Sequence, residues 1–204
     1  VFCIGASLFA VSQESLPEPY KSAHLMPYKP DGWYGNQGPM GELMRKRKAR
    51  VIIEVGSWMG QSTLAFAKVI PEGGKVYAVD TWQGSPNETH HSPEILATLY
   101  DQFLSNVIHD GLTHKIVPVR MDSLEAAKVL DVRPDLIYID ATHTTEAVYA
   151  DLNAWYPHVQ GRGILCGDDW AWGYYAVAKG VERFASEHNL KIHTNGWFWW
   201  LEEQ

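Results

Sequence analysis

The chain has 204 residues, with 17 basic and 24 acidic side chains and a net charge of −7. That length suits one α/β core, and the negative balance argues against nucleic acid as a partner, because phosphate binding needs a basic face. Two cysteines, Cys3 and Cys166, do not make a disulfide framework.

The chain opens on an apolar stretch, Val1 to Val11. It is too short to span a bilayer, so no stable membrane span is expected. We expect it to pack on the domain, with a cytoplasmic location; the tail of a secretion signal is the other reading. Asn87-Glu88-Thr89 matches a glycosylation site, which matters only if the chain is secreted. Residues 12–36 hold Pro17, Pro19, Pro27 and Pro30 with little periodicity. Residues 1–36 therefore read as an irregular lead-in to a domain over 37–204. At its end, Asp31-Gly32-Trp33-Tyr34-Gly35-Asn36 places two aromatics before the first helix. They suit either a cover over the site or a hook that anchors the lead-in. A helix over about 37–48 follows, and its basic end, Arg45 to Arg50, complements a helix C-terminus.

Strands and helices then alternate. Strands are expected near 51–55, 76–80, 116–119, 135–140 and 163–167. Helices are expected near 61–70, 93–108, 123–130, 144–156 and 174–188. This order implies a parallel sheet covered on both faces. The end differs: 191–194 and 197–201, joined by Asn195-Gly196, read as a β-hairpin. The fold class is thus α/β, a Rossmann-like doubly wound seven-stranded sheet, mostly parallel, with a C-terminal antiparallel β-hairpin. The aromatics Trp197 to Trp200 are expected mainly in the core or on a dimer surface, with a substrate wall as the lesser reading, so a homodimer is open.

The first strand, Val51 to Val55, contains an acid and runs into a glycine loop, Gly56-Ser57-Trp58-Met59-Gly60. The pattern is E-x-G-x-x-x-G, not the G-x-G-x-x-G of dinucleotide sites. A carboxylate there repels a pyrophosphate but suits hydroxyls or a cation. The second strand also ends in an acid, Asp80, and a carboxylate can accept both hydroxyls of a ribose. A nucleoside without phosphates fits both acids.

These residues resemble class I S-adenosylmethionine-dependent methyltransferases. The matching segments are Glu54 to Ser62, Gly73 to Asp80, Asp135 to His143 and Gly163 to Trp170. The last two resemble metal-dependent O-methyltransferases of the catechol and macrocin or novobiocin type. The resemblance implies contacts to S-adenosylmethionine from Glu54, Gly56, Ser57, Gly60, Ser62, Asp80, Thr81 and Trp82. Met121, Asp122 and Ser123 would meet its adenine, and Asp140 would line the same site.

Asp140 ends the fourth strand, and Asp168 and Asp169 end the fifth. Adjacent strand ends bring the three carboxylates together, where a cation would relieve their repulsion. Oxygen donors favour a hard ion such as Mg²⁺. In the resembled enzymes, acids at these positions bind the divalent cation. The expected function is O-methylation of a small-molecule hydroxyl acceptor, with Asp140 or His143 accepting the proton. Trp170, Trp172, Tyr174 and Tyr175 suit an aromatic acceptor pocket, and the loop from Thr81 to Pro93, with His90 and His91, suits a lid. Two other readings stay open: a non-catalytic S-adenosylmethionine-binding module and a nucleotide-dependent oxidoreductase.

Overall fold

A computed structural model describes residues 12–85 and 92–204. The opening apolar stretch with Cys3, the Asn87 site and the loop histidines His90 and His91 lie outside the described residues. Seven strands form one sheet: β1 (Val51–Val55), β2 (Lys75–Asp80), β3 (Ile116–Arg120), β4 (Leu136–Ile139), β5 (Ile164–Gly167), β6 (Leu190–Asn195) and β7 (Phe198–Glu203). Their spatial order is β3-β2-β1-β4-β5-β7-β6. The β1–β2, β2–β3, β1–β4 and β4–β5 pairs are parallel. The β5–β7 and β6–β7 pairs are antiparallel. The strand order reverses between β1 and β4, and an open α/β sheet binds its ligands beyond the carboxyl ends at such a point.

Helices α1 (Gln37–Arg47), α2 (Gln61–Val69), α3 (Pro93–His109), α4 (Ser123–Val129), α5 (Thr145–Trp155) and α6 (Trp172–His188) complete the alternation. Their starts follow local chemistry. Ser92 accepts from the Ile95 amide ahead of Pro93, and Thr144 accepts from the Ala147 amide. The sheet separates two apolar clusters. Period-two alternation divides β1 between them: Ile52 faces one, Ile53 and Val55 the other.

Residues 12–36 form a strap held against α3. The Tyr20 hydroxyl donates to the Ile116 carbonyl at 2.8 Å. Gln102 donates to the Pro27 carbonyl at 2.8 Å. Asn106 donates to the Lys29 carbonyl at 2.9 Å and accepts from its amide at 2.8 Å. The buried polar residues of α3 thus satisfy strap backbone that has no ladder of its own.

Two local expectations change. The hairpin pairs Asn195 with Phe198, so Gly196-Trp197 is the two-residue turn rather than Asn195-Gly196. Gly196, at φ +65°, takes the first turn position that strongly favours glycine. The second is α6, which departs from helical geometry at Gly173, Tyr174 and Tyr175, all left-handed at φ 54–65°. Tyr174 and Tyr175 consequently project outward, 95% and 57% exposed. Among the described residues, no helix is long and apolar enough to cross a membrane.

Candidate active site

A cavity of about 1450 Å³ opens beyond the carboxyl ends of β1, β2, β4 and β5. At one end stands the glycine loop. Gly56 takes φ +91°, and a Cβ there would fall 2.0 Å from the Asp140 carbonyl. The backbones of the β1 and β4 exits meet only because this residue lacks a side chain. Asp80 organises the same loop: it accepts the Ser57 and Trp58 amides at 2.9 Å each and the Trp82 amide at 2.7 Å. Burial raises its pKa, against those amide bonds.

Of the residues expected to contact S-adenosylmethionine, Gly56, Ser57, Asp80, Thr81, Met121, Asp122, Ser123 and Asp140 line the cavity. Four expected contacts, Glu54, Gly60, Ser62 and Trp82, stand behind the wall rather than on it. For Glu54 the reason is the pleat. Its neighbours Ile53 and Val55 join the cluster on the other face, which leaves Glu54 turned toward α2. There its carboxylate accepts from the Ser57 hydroxyl at 2.8 Å and from the Thr63 hydroxyl. Burial pushes the Glu54 carboxyl up to about 7, with the Ser62, Thr63 and Ser57 hydroxyls opposing. Trp82 is turned inward onto Tyr100 and Phe103, both at 4.7 Å, and its indole donates to the Trp58 carbonyl.

The far wall adds residues that pattern reading missed. Asp151 of α5 accepts from the Ser123 hydroxyl at 2.5 Å, and Trp155 donates to that hydroxyl at 2.9 Å. Burial pushes Asp151 up to about 6. The sequence did carry a signal: Val148, Leu152 and Trp155 form the buried stripe of α5, and an acid between them is out of place unless it has a task. Asp122 caps α4 through the Leu124 and Glu125 amides while still facing the cavity.

At the other end, Asp140, His143 and Asp169 bring one potential ligand atom each within 4.8 Å of one another. The His143 Nε2 lies 2.8 Å from Asp169 and 3.8 Å from Asp140. Asp168 is on the same wall but is tied back. It accepts from the Tyr138 hydroxyl at 3.1 Å and the Asp169 amide at 2.7 Å. Asn36, at the end of the strap, donates to the same tyrosine hydroxyl at 3.2 Å. Trp199 holds the loop from below, its indole donating to the Asp168 carbonyl at 2.7 Å. Burial raises the pKa values of Asp140 and Asp168, and neighbouring carboxylates add to it. Oxygen and imidazole donors at this spacing fit a divalent cation.

The six residues Asp31 to Asn36 complete the wall. They also anchor the strap, since Tyr34 packs on Phe66 and Tyr138 at 5.4 and 6.2 Å. Of the aromatics after the aspartate pair, only Trp172 reaches the cavity. Trp197, expected mainly in the core or at a dimer surface, reaches it too, because the hairpin turn carries it there.

The family model for a methyltransferase domain matches residues 53–170, from inside β1 through β5 to Trp170. The chain belongs to this methyltransferase family. That removes the oxidoreductase reading and agrees with the class I, S-adenosylmethionine-dependent assignment. The fold of this methyltransferase is similar to an O-methyltransferase from Bacillus cereus in complex with SAH, at TM-score 0.62 and 18% identity, covering 84% of this chain and 81% of that one. It is similar also to the O-methyltransferase TomG of Streptomyces achromogenes in complex with SAM, at TM-score 0.62 and 16% identity, covering 86% and 82%. Over 191 residues it is 25% identical to the uncharacterized protein y4gI of Sinorhizobium fredii. That match takes in 86% of this chain, which spans about a fifth (20%) of the length of that relative.

Proposed function

We propose that this methyltransferase carries out O-methylation of a small-molecule hydroxyl, assisted by a divalent cation, with Mg²⁺ the first choice. One observation carries the reading: a single cavity is lined by Gly56, Asp80 and Asp122 and also by the Asp140, His143 and Asp169 cluster. The methyl donor of the solved O-methyltransferases of similar fold suits the first group, and a hard cation suits the second. Residues 37–204 are the working domain, and the strap supplies one wall of its site.

Bound S-adenosylmethionine would supply the methyl group. A cation held by Asp140 and Asp169, with Asp168 beside them once released from its Tyr138 hydrogen bond, would supply Lewis-acid polarisation of the acceptor hydroxyl. Asp80 orients the ribose, and the carboxylate of Asp122 accepts from the adenine amine. Ser57 and Gly56 present backbone to the methionine part. His143 accepts the acceptor's proton, a task suited to a neutral imidazole near pH 7, and Asp169 orients its ring. Apolar walls exclude water, so that positioning supplies much of the rate.

Isothermal titration calorimetry with S-adenosylhomocysteine, with and without Mg²⁺, tests this. Saturable binding of one equivalent, together with a separate Mg²⁺ isotherm, supports both halves. Failure to bind S-adenosylhomocysteine rejects the proposal, and binding without any Mg²⁺ isotherm removes the metal half. Turnover discriminates an enzyme from a non-catalytic binding module; the complete set of carboxylates at the far end favours the enzyme.

A further inference from the structure

Beyond the residues proposed to hold donor and cation, the rim of the cavity is built from three segments distant in sequence. Trp33 comes from the strap, Trp172 from the start of α6 and Trp197 from the β6–β7 turn. The rings of Trp172 and Trp197 lie 5.9 Å apart. Trp33 is 76% exposed and the other two 48% each. Large indoles left in water at the rim of a concave site mark a surface that meets a ligand.

The cavity's charge is one-sided. Seven aspartates line it, and among the described residues no lysine or arginine does. Positions 1–11 and 86–91 contain neither residue type. Asp31, the aspartate at the rim, pairs with Lys29 at 3.2 Å where both are well exposed, so the pair is screened and weak. Asp122 is exposed too, but Asp80, Asp140, Asp151, Asp168 and Asp169 are buried or half-buried, where concave walls focus their field. A dication and the donor's sulfonium would offset only part of it. Carboxylates of this kind concentrate cations and repel anions, and indole faces attract an ammonium through the ring quadrupole. An acyl chain ending in phosphates, or a carboxylate on the ring, meets no lysine or arginine among the described residues that line this cavity.

We infer that the methyl acceptor carries a positively charged amine, held over the rim tryptophans, and that carboxylate- and phosphate-bearing acceptors are rejected. This rests on the reading of the cavity as the transfer site. The test is calorimetric titration of the full chain, saturated with S-adenosylhomocysteine and Mg²⁺, with three matched phenols: tyramine, 4-ethylphenol and 3-(4-hydroxyphenyl)propanoate. Tyramine is expected to bind about tenfold tighter than 4-ethylphenol, with the propanoate weakest. The gap should narrow at high salt. Trp172→Ala and Trp197→Ala should each weaken tyramine roughly threefold while changing 4-ethylphenol less. Equal affinities, tightest binding of the propanoate, or no saturable binding of tyramine would overturn the inference. The saturation step separates the two readings. Failure of S-adenosylhomocysteine to bind rejects the transfer site itself, whereas its binding without a charge preference rejects only the cationic acceptor.

Discussion

Glu54 and His143 show how a side chain's role depends on which way its backbone aims it. Glu54 sits in a strand as a carboxylate with no exposure, and burial holds its pKa at about 7 against an ordinary 4.5. The folded state therefore binds this proton more tightly than the unfolded chain does. Its stabilisation is complete below about pH 4.5 and is lost as pH rises through 7. Over that window the loss is on the order of 3 kcal/mol. Glu54→Gln, which keeps an oxygen for the Ser57 and Thr63 hydroxyls, should remove that pH dependence in urea unfolding at pH 5 and pH 8. An unchanged pH dependence would mean that Glu54 is not the titrating group. For His143, a proton-accepting role predicts that His143→Ala keeps Mg²⁺ affinity within about threefold while kcat drops by roughly a hundredfold or more. Loss of Mg²⁺ affinity instead would make the imidazole a ligand in place of Asp168. The three aspartates were legible because they end strands. Glu54's inward turn was not, because an acid in a glycine-loop motif reads equally well as a ligand contact.

At the scale of elements, alternation of apolar strands with helices was legible nearly residue by residue, since each start carries its own signal. Ser92-Pro93 and Thr144 are helix caps that the chain states locally. The hairpin register was less legible. Asn-Gly is a strong turn signal, yet Phe198 and Trp199 are almost fully buried, and burying both set the pairing one residue later. That slip puts Trp197 in the turn, at the cavity rim, rather than in a strand. The left-handed run in α6 was equally hidden, because two of its three residues are tyrosines, which rarely adopt that conformation. The tightest junction of elements is Gly56 against the Asp140 carbonyl. Gly56→Ala places a methyl group 2.0 Å from that oxygen, at a positive φ as well. We expect it to lower unfolding free energy by roughly 3 kcal/mol or more, and to weaken S-adenosylhomocysteine binding in parallel. Wild-type stability in chemical denaturation would mean that the β1 and β4 exits do not meet there.

Across the whole molecule, the sheet, the strap and the hairpin converge on one cavity. The strap looked like an irregular lead-in because its backbone partners are side chains of α3, some eighty residues away in sequence; no local pattern reports such pairing. Through Asn36 and Tyr138 it touches the group that holds Asp168, and through Trp199 the hairpin touches the same loop. The residues proposed to hold the donor and those proposed to hold the cation line this one cavity, which is the central claim. The most direct test is a crystal structure of the protein grown with S-adenosylhomocysteine and Mn²⁺, with anomalous diffraction used to locate the metal. The account predicts the adenosyl group between Asp80 and Asp122 and an anomalous peak within coordination distance of Asp140 and Asp169, in the same cavity. An anomalous peak elsewhere, or a nucleoside bound outside that cavity, would contradict it.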